Sequence, residues 1–425
     1  MNGGTKKKNQ KSKIKNQSDK AKNKEGLFFL HFNLSFCILR FAFYIKFMKI
    51  NITKPQFGKG ELKAVKEVLD SGWVVQGPKV AEFERIIAKF TRAPYAVATT
   101  SCTTALHIGL LALGIGSGDE VIVPAFTFMA TANVCEYVGA KPVFIDIDLK
   151  TFNIDPGKIE KAITKKTKAI IPVHLFGLSA DMKAILQLAH KHKLVVIEDA
   201  ACAIGTYYQG RHVGYIGDVG AFSFHPRKAI TTGEGGILTT NKKSLAMLVT
   251  SLRDHGAGIS DLDRHKGGAF TLPEYNMVGY NYRMTDLQAA IGVEQAKKLK
   301  DILKERMAKA KNYDKAFKNH QFLQTPFVPE YSNHTYQSYV LLVKGDSPLD
   351  RDQISKKLAD KGIATRQGTQ NVPMLGFYRK KYGFKNSDFP RSNYAEKNTL
   401  TIPLYADMTA KEQKYVVENI LGLFK

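Results

Sequence analysis

The chain has 425 residues, enough for two domains or for one large domain with a smaller companion. Its 44% hydrophobic and 24% charged residues exclude wholesale disorder. Four cysteines (Cys37, Cys102, Cys135 and Cys202), none in a C-x-x-C pair, exclude a zinc ribbon and a dense disulfide framework, and suit a reduced, cytoplasmic setting.

The formal net charge of +25 is uneven. Residues 1–47 hold eleven Lys/Arg against Asp19 and Glu25, a net +9, and the remaining +16 is spread along the chain. That spread suits an enzyme meeting anionic substrates about as well as it suits nucleic acid. No arginine-rich helix, aromatic RNP signature or metal-finger spacing supports nucleic-acid binding, so none is expected. Residues 1–25 form a Lys/Asn/Gln run that cannot bury a core, and disorder is expected there. Leu27–Phe47 is apolar and long enough to span a bilayer, yet it contains His31, Asn33, Arg40 and Lys46. Three readings are open for this leader: a membrane anchor, a basic surface-binding tail, or translated sequence upstream of a start at Met48. The abrupt change of composition at a methionine favours the third, and membrane contact is expected only if the leader is native. A membrane-tethered regulatory protein is a reading that rests on these 47 residues alone.

From Tyr95 to Thr240 short apolar runs alternate with helical patterns. The expected strands are Ala96–Thr99, Glu120–Pro124, Pro142–Asp146, Ala169–His174, Leu194–Glu198, Val219–Phe224 and Gly236–Thr240. Thr103–Gly114, with Leu106, Leu110 and Leu113 on one face, reads as a helix. Val- and Ile-rich strands without alternation, separated by helices, indicate an α/β fold: a mostly parallel seven-stranded sheet covered by helices on both faces. A long connecting helix begins at Thr285, boxed by Gln288. The expected division is a large domain over 48–311 and a smaller C-terminal α/β domain over 312–425. Within the latter, strands are expected at Ser338–Val343 and Ile363–Arg366, and the last helix at Thr409, boxed by Glu412.

In a doubly wound sheet, ligands bind beyond the carboxyl ends of the strands. Four strand ends here carry unusual chemistry. One ends in Glu198-Asp199-Ala200-Ala201-Cys202. Another runs into Ser223-Phe224-His225-Pro226-Arg227-Lys228 and then the turn Thr231 to Gly236. A third opens onto Ser101-Cys102-Thr103-Thr104, and a fourth onto Phe126-Thr127-Phe128. Hydroxyls at a helix N-terminus suit a phosphate. Phe128 suits a stacked heteroaromatic ring, a buried Asp199 suits a protonated pyridine nitrogen, and Lys228 suits a Schiff base. Together these are the parts required by pyridoxal 5′-phosphate.

With these motifs and Gly279-Tyr280-Asn281-Tyr282-Arg283-Met284-Thr285-Asp286, residues 49–425 resemble the DegT/DnrJ/EryC1/StrS sugar aminotransferases, which have the PLP-dependent transferase fold type I. The resemblance implies that Lys228 holds the cofactor, Asp199 faces the ring nitrogen, Ser223 binds the phosphate, Thr103 and Thr104 form the backbone phosphate cradle, and Phe128 stacks on the ring. It implies that Asn281 reaches a phosphate in a neighbouring subunit, hence a homodimer with shared active sites. Cys202 stands where many relatives carry glutamine near the ring hydroxyl, and Cys102 where many have glycine. The implied activity moves an amino group, with L-glutamate as the expected donor, to a nucleotide-linked keto sugar. A 4-keto-6-deoxyhexose is the expected acceptor, as in perosamine synthesis, within surface polysaccharide or lipopolysaccharide production. The alternatives are another fold-type-I enzyme such as a decarboxylase, or a sugar dehydratase variant, against which Lys228 argues because that variant carries histidine.

Blander readings stand beside these. Ser101–Thr104 could be a simple N-cap, Phe128 plain core, Glu234 and its glycines only a turn, and Arg366 either a substrate-phosphate contact or surface. His174 and His225 read as structural or cofactor-adjacent, since no acid or histidine recurs at ligand spacing; no metal site is expected.

Overall fold

The structure is a computed structural model that describes residues 48–258 and 274–425. The readings made of residues 1–47 lie outside the described residues, within which no helix is long and apolar enough to cross a membrane. Lys49–Lys425 form one compact unit.

Its centre is a seven-stranded sheet: β1 (Tyr95–Thr99), β2 (Glu120–Pro124), β3 (Lys141–Ile145), β4 (Thr167–Ile170), β5 (Val195–Asp199), β6 (Val219–Ser223) and β7 (Gly236–Thr240). The spatial order is β1-β7-β6-β5-β4-β2-β3. Four of the six neighbour pairs are parallel, and β7 is antiparallel to both of its neighbours. The unalternated apolar runs have a direct cause. Val121 and Val123 enter one core cluster and Ile122 the other; Ile197 and Val196 divide in the same way. Each strand therefore needs apolar side chains in both directions. One cluster packs under α2 (Pro78–Thr91), α5 (Met182–His192) and α7 (Asp286–Phe317), the other under α3 (Cys102–Ala112), α4 (Ala130–Tyr137) and α6 (Lys243–Arg253), while α1 (Lys59–Ser71) packs Ala64 and Val68 against Ala290 of α7.

Strand ends differ from expectation by a few residues where polar groups leave the ladder. β4 stops at Ile170 rather than His174, whose imidazole turns to Glu198. The expected strand Ile363–Arg366 shrinks to β10 (Arg366–Gln367), while Ile363 makes a lone bridge to Ile50. With β8 (Leu323–Gln324), β9 (Tyr339–Val343) and β11 (Thr399–Ile402), β10 forms a second, four-stranded antiparallel sheet. Just past β10, Gln370–Asn371 pairs with Phe126–Thr127 of the large sheet's loops, tying this sheet to the end of β2.

The capping box at Thr285 holds as expected and starts a 32-residue helix, α7. Its next residue, Asp286, does something periodicity cannot reveal. α2 begins after Gly77, which has no side chain for capping and no room for one, because a Cβ there would lie 2.0 Å from the Trp73 indole nitrogen. Asp286 caps that helix instead, accepting from the amides of Gly77, Lys79 and Val80 at 2.9–3.0 Å. Asp286→Ala should therefore cost about 2–3 kcal/mol, since it strands buried donors at a helix start. Urea unfolding of the variant checks this, and a midpoint matching the parent protein would contradict it.

Candidate active site

The carboxyl ends of β2, β5 and β6 and the start of α3 surround a cavity of about 360 Å³. Thr103, Phe128, Asp199, Cys202, Ser223 and Lys228 all line it. Thr104 and Asn281 do not.

Lys228 lies on the loop that leaves β6. The loop is pinned at Phe224, whose amide donates to Gly235 O (2.9 Å) and whose carbonyl accepts from Thr232 N (3.0 Å) and Thr231 Oγ1 (2.8 Å). The Lys228 amide donates to His225 O at 2.8 Å, and its Nζ reaches the cavity 3.1 Å from Cys202 Sγ. The glycines that follow serve packing. A Cβ on Gly236 would lie 2.2 Å from the Ser101 carbonyl carbon, and one on Gly235 would lie 2.2 Å from Thr232 Oγ1. Bare backbone at these positions lets β7 pass beside the start of α3, which brings that helix terminus to the cavity.

At that terminus Ser101 is the N-cap, accepting from Thr104 N at 3.1 Å, and Thr104 Oγ1 closes the box by accepting from Ser101 N at 3.0 Å. The capping reading thus accounts for the Thr104 hydroxyl, which also contacts Thr100. Thr103 faces the cavity. The amides of Cys102 and Thr103 have no intrahelical acceptor by position and carry the positive end of the helix dipole.

Asp199 ends β5 and is 5% exposed. Thr131 Oγ1 donates to its Oδ2 at 2.7 Å and Ala201 N to its Oδ1 at 3.1 Å. Burial raises its pKa above the usual carboxylate value, while the two hydrogen bonds and the nearby Lys228 charge pull the other way. Thr131 is the orienting residue that sequence reading missed. The only signal was a pair of threonines, Thr127 and Thr131, four apart after a strand end, whose hydroxyls meet at 3.1 Å.

The neighbouring Glu198 points the other way along the pleat. Burial alone would raise its pKa, but donors from His174 Nε2 and the amides of Gly214, Ile216 and Gly217 at 2.6–2.9 Å hold it below the usual value. His174 Nδ1 accepts from Ala180 N, which leaves Nε2 to donate; His174 is structural. His225 lines the cavity 3.9 Å from Glu234.

Phe128 is 55% exposed at the cavity wall, so it is not core. Asn281 is exposed and lies outside this cavity. Its neighbours Tyr280 and Tyr282 stack at 5.1 Å, and Tyr282 OH meets His107 Nδ1 at 3.0 Å, so the segment is anchored on both sides of Asn281. Arg227, Gln337 and Arg366 also line the cavity. A ligand with an aldehyde, a basic ring nitrogen and a phosphate finds a matching group for each in the Lys228 amine, the Asp199 carboxylate and the α3 terminus with Ser223.

A mostly parallel α/β sheet with a lysine and a buried acid at its strand ends defines a fold-type-I transferase. Residues 55–421 match the DegT/DnrJ/EryC1/StrS aminotransferase family, and the chain belongs to it. The spore coat polysaccharide biosynthesis protein SpsC of Bacillus subtilis is 43% identical over 373 residues, 87% of this chain and 96% of SpsC. Among solved structures, an aminotransferase from Psychrobacter cryohalolentis superposes with a TM-score of 0.83 at 35% identity, over 87% of this chain and 98% of that one. The sugar aminotransferase Spr1654 of Streptococcus pneumoniae, in its PMP form, gives 0.82 at 32% identity, over 87% and 98%. The PLP form of the same protein gives 0.82 at 31%, over 88% of this chain and 97% of that one.

Proposed function

We propose that this enzyme is a pyridoxal-phosphate-dependent aminotransferase that moves an amino group from L-glutamate to a nucleotide-linked keto sugar. The observation that carries this reading is the opening of the Lys228 amine and the buried Asp199 carboxylate into one cavity beside a capped helix terminus. The relatives include solved structures in PLP and PMP forms, which supports the cofactor. When bound, pyridoxal phosphate supplies an electron sink for the negative charge that develops when an amino acid loses its α-proton.

The chain's own residues do the rest. Lys228 Nζ is the base that takes that proton and the acid that returns it. Asp199, oriented by Thr131 and Ala201, would favour a positive charge at the ring nitrogen. Ser223 and the start of α3 would hold the phosphate, and Phe128 would pack against the ring. Cys202, within 3.1 Å of Lys228 Nζ, shapes the space beside the amine.

The acceptor we favour is a 4-keto-6-deoxyhexose, and the setting surface polysaccharide synthesis in the cytoplasm; SpsC, named for spore coat polysaccharide biosynthesis, supports the setting. A homodimer completes the site through Asn281, whose exposed position on an anchored segment supports a reach beyond its own subunit. The experiment is a panel of keto-sugar nucleotides offered with glutamate while 2-oxoglutarate is followed. Turnover with at least one 4-keto-6-deoxy sugar is expected, and release of carbon dioxide without 2-oxoglutarate would instead indicate a decarboxylase.

A further inference from the structure

Two thiols and an amine open into the cavity: Cys102, Cys202 and Lys228. Among the described residues the hydrogen bond of Lys228 Nζ is the one to Cys202 Sγ, at 3.1 Å. Transamination uses the amine and asks no chemical step of the thiol.

Backbone holds this pair together. β5 and β6 are parallel neighbours with Asp199 opposite Ala221, so the turns that leave them start side by side. Ala200 N donates across to Ala221 O and Ala203 N donates to Ala200 O, both at 2.9 Å, which folds Cys202 into a tight turn. After β6, the Lys228 amide donates to His225 O at 2.8 Å, and Gln337 Nε2 donates to Arg227 O at 2.9 Å. Gln337 is itself placed from the core, because Arg306, 3% exposed on α7, donates Nη2 to the carbonyls of Tyr336 (2.8 Å) and Gln337 (2.6 Å). Behind the pair lies a space of about 10 Å³, room for one water at most, so a solute reaches the thiol from the main cavity. Cys102 is the weaker nucleophile. Burial first, and then the charge of Asp199, raise its pKa well above the usual thiol value and keep it protonated.

We propose that Cys202 is an oxidation site which hydrogen peroxide converts, in the cofactor-free enzyme, into a covalent sulfur–nitrogen bond with Lys228. In the first step the Cys202 sulfur attacks the peroxide and the O–O bond breaks. Cys202 becomes a sulfenic acid, and the thiol proton leaves with the other oxygen as water. In the second step the unprotonated Lys228 amine attacks that sulfur. The S–N bond forms, the S–O bond breaks, and the hydroxyl departs with one amine proton as a second water. Peroxide gains two electrons and the thiol–amine pair loses two. Two equivalents of an external thiol reverse the bond, returning the free thiol and amine and leaving a disulfide. A sulfenic acid condenses with the nucleophile that adjoins it, and here that is an amine on a flexible stem. Once joined, Lys228 has no amine left for the cofactor; a Lys228 nitrogen already bonded to the cofactor cannot close the link. That consequence rests on the aminotransferase reading, and the sulfur–nitrogen chemistry does not.

Peroxide treatment of the full chain, with and without cofactor, followed by proteolysis under non-reducing conditions and peptide mass mapping, tests it. The cofactor-free enzyme should yield the Cys202 and Lys228 peptides joined, lighter than their sum by two hydrogens. The holoenzyme should yield about tenfold less of the joined pair, and uptake of pyridoxal phosphate by the oxidised protein should fall about tenfold and return to within about twofold on adding dithiothreitol. Cys202→Ser, whatever its own uptake, should show no such fall. A disulfide between Cys202 and Cys102, oxygen added to Cys202 with no link to Lys228, or a link formed equally in the holoenzyme would each overturn the proposal. If Cys202→Ser does not fold, o-phthalaldehyde on the wild-type protein decides, since it forms a fluorescent isoindole only where a thiol and an amine adjoin. Isoindole joining the Cys202 and Lys228 peptides supports the site, and its absence there overturns it. A protein that forms the sulfur–nitrogen link yet takes up no pyridoxal phosphate would sink the functional reading and leave the oxidation site standing; one that takes up cofactor and forms no link would do the reverse.

Discussion

Lys228→Ala is expected to fold normally, to lose its covalent hold on the cofactor, and to turn over about 10,000-fold more slowly than the parent enzyme. The fold should tolerate the change because, among the described residues, the hydrogen bond of Lys228 Nζ is the one to Cys202 Sγ, at 3.1 Å. The rate should not, because among the described residues Lys228 is the one lysine lining the cavity, and general acid–base catalysis alone contributes about 100- to 10,000-fold before covalent anchoring is added. Lys228→Arg should be equally inactive: a guanidinium stays protonated at any working pH and cannot accept the substrate proton. Spectrophotometry of the purified variants, with single-turnover rates on glutamate, measures both effects. A Lys228→Ala protein that keeps a borohydride-trappable cofactor would refute the assignment.

The second large effect falls on Asp199. Asp199→Ala and Asp199→Asn should each lower the rate of the glutamate half-reaction about 100- to 1,000-fold, the loss typical of one preorganised charge in a water-poor site. In the protein alone, burial pushes this carboxyl towards its neutral form, partly countered by Thr131, Ala201 and the Lys228 charge. A cation held beside it favours the ionised form, so ring binding and carboxylate ionisation reinforce one another. The asparagine variant keeps the side chain's shape and removes only the charge, so it separates electrostatics from packing. Rates within tenfold of the parent in stopped-flow absorbance, at an unchanged melting temperature, would contradict the role given to Asp199.

Much of this architecture was legible because both faces of the large sheet are covered. Strands such as Glu120–Pro124 and Gly236–Thr240 could be placed to the residue, since Val121, Ile122 and Val123, like Ile237 and Leu238, alternate between two cores. The capping boxes at Thr285 and Thr409 are local hydrogen-bond patterns and were equally readable. What escaped depends on partners far away in the chain. Asp286 caps a helix more than 200 residues before it, and Gln337 holds the carbonyl of Arg227 across 110 residues. No periodicity records such pairings.

At the cavity, six residues named from strand ends and the α3 start do share one space, because a parallel sheet delivers all its carboxyl ends to one edge. Thr104 and Thr103 could not be told apart in advance, since capping and phosphate binding draw on the same helix terminus, and only coordinates show which hydroxyl the box consumes. Thr131 was missed for a similar reason. Its tie to Asp199 links the first turn of one helix to the end of a strand 68 positions later.

The proposed chemistry requires a single ε-amine, that of Lys228 on the turn after β6, to bond the cofactor aldehyde. Borohydride reduction of the native holoenzyme, followed by proteolysis and peptide mass mapping, addresses it directly. The account predicts one phosphopyridoxyl mass increment, on the peptide containing Lys228. An increment on any other lysine, or a reduced enzyme bearing none, would contradict it.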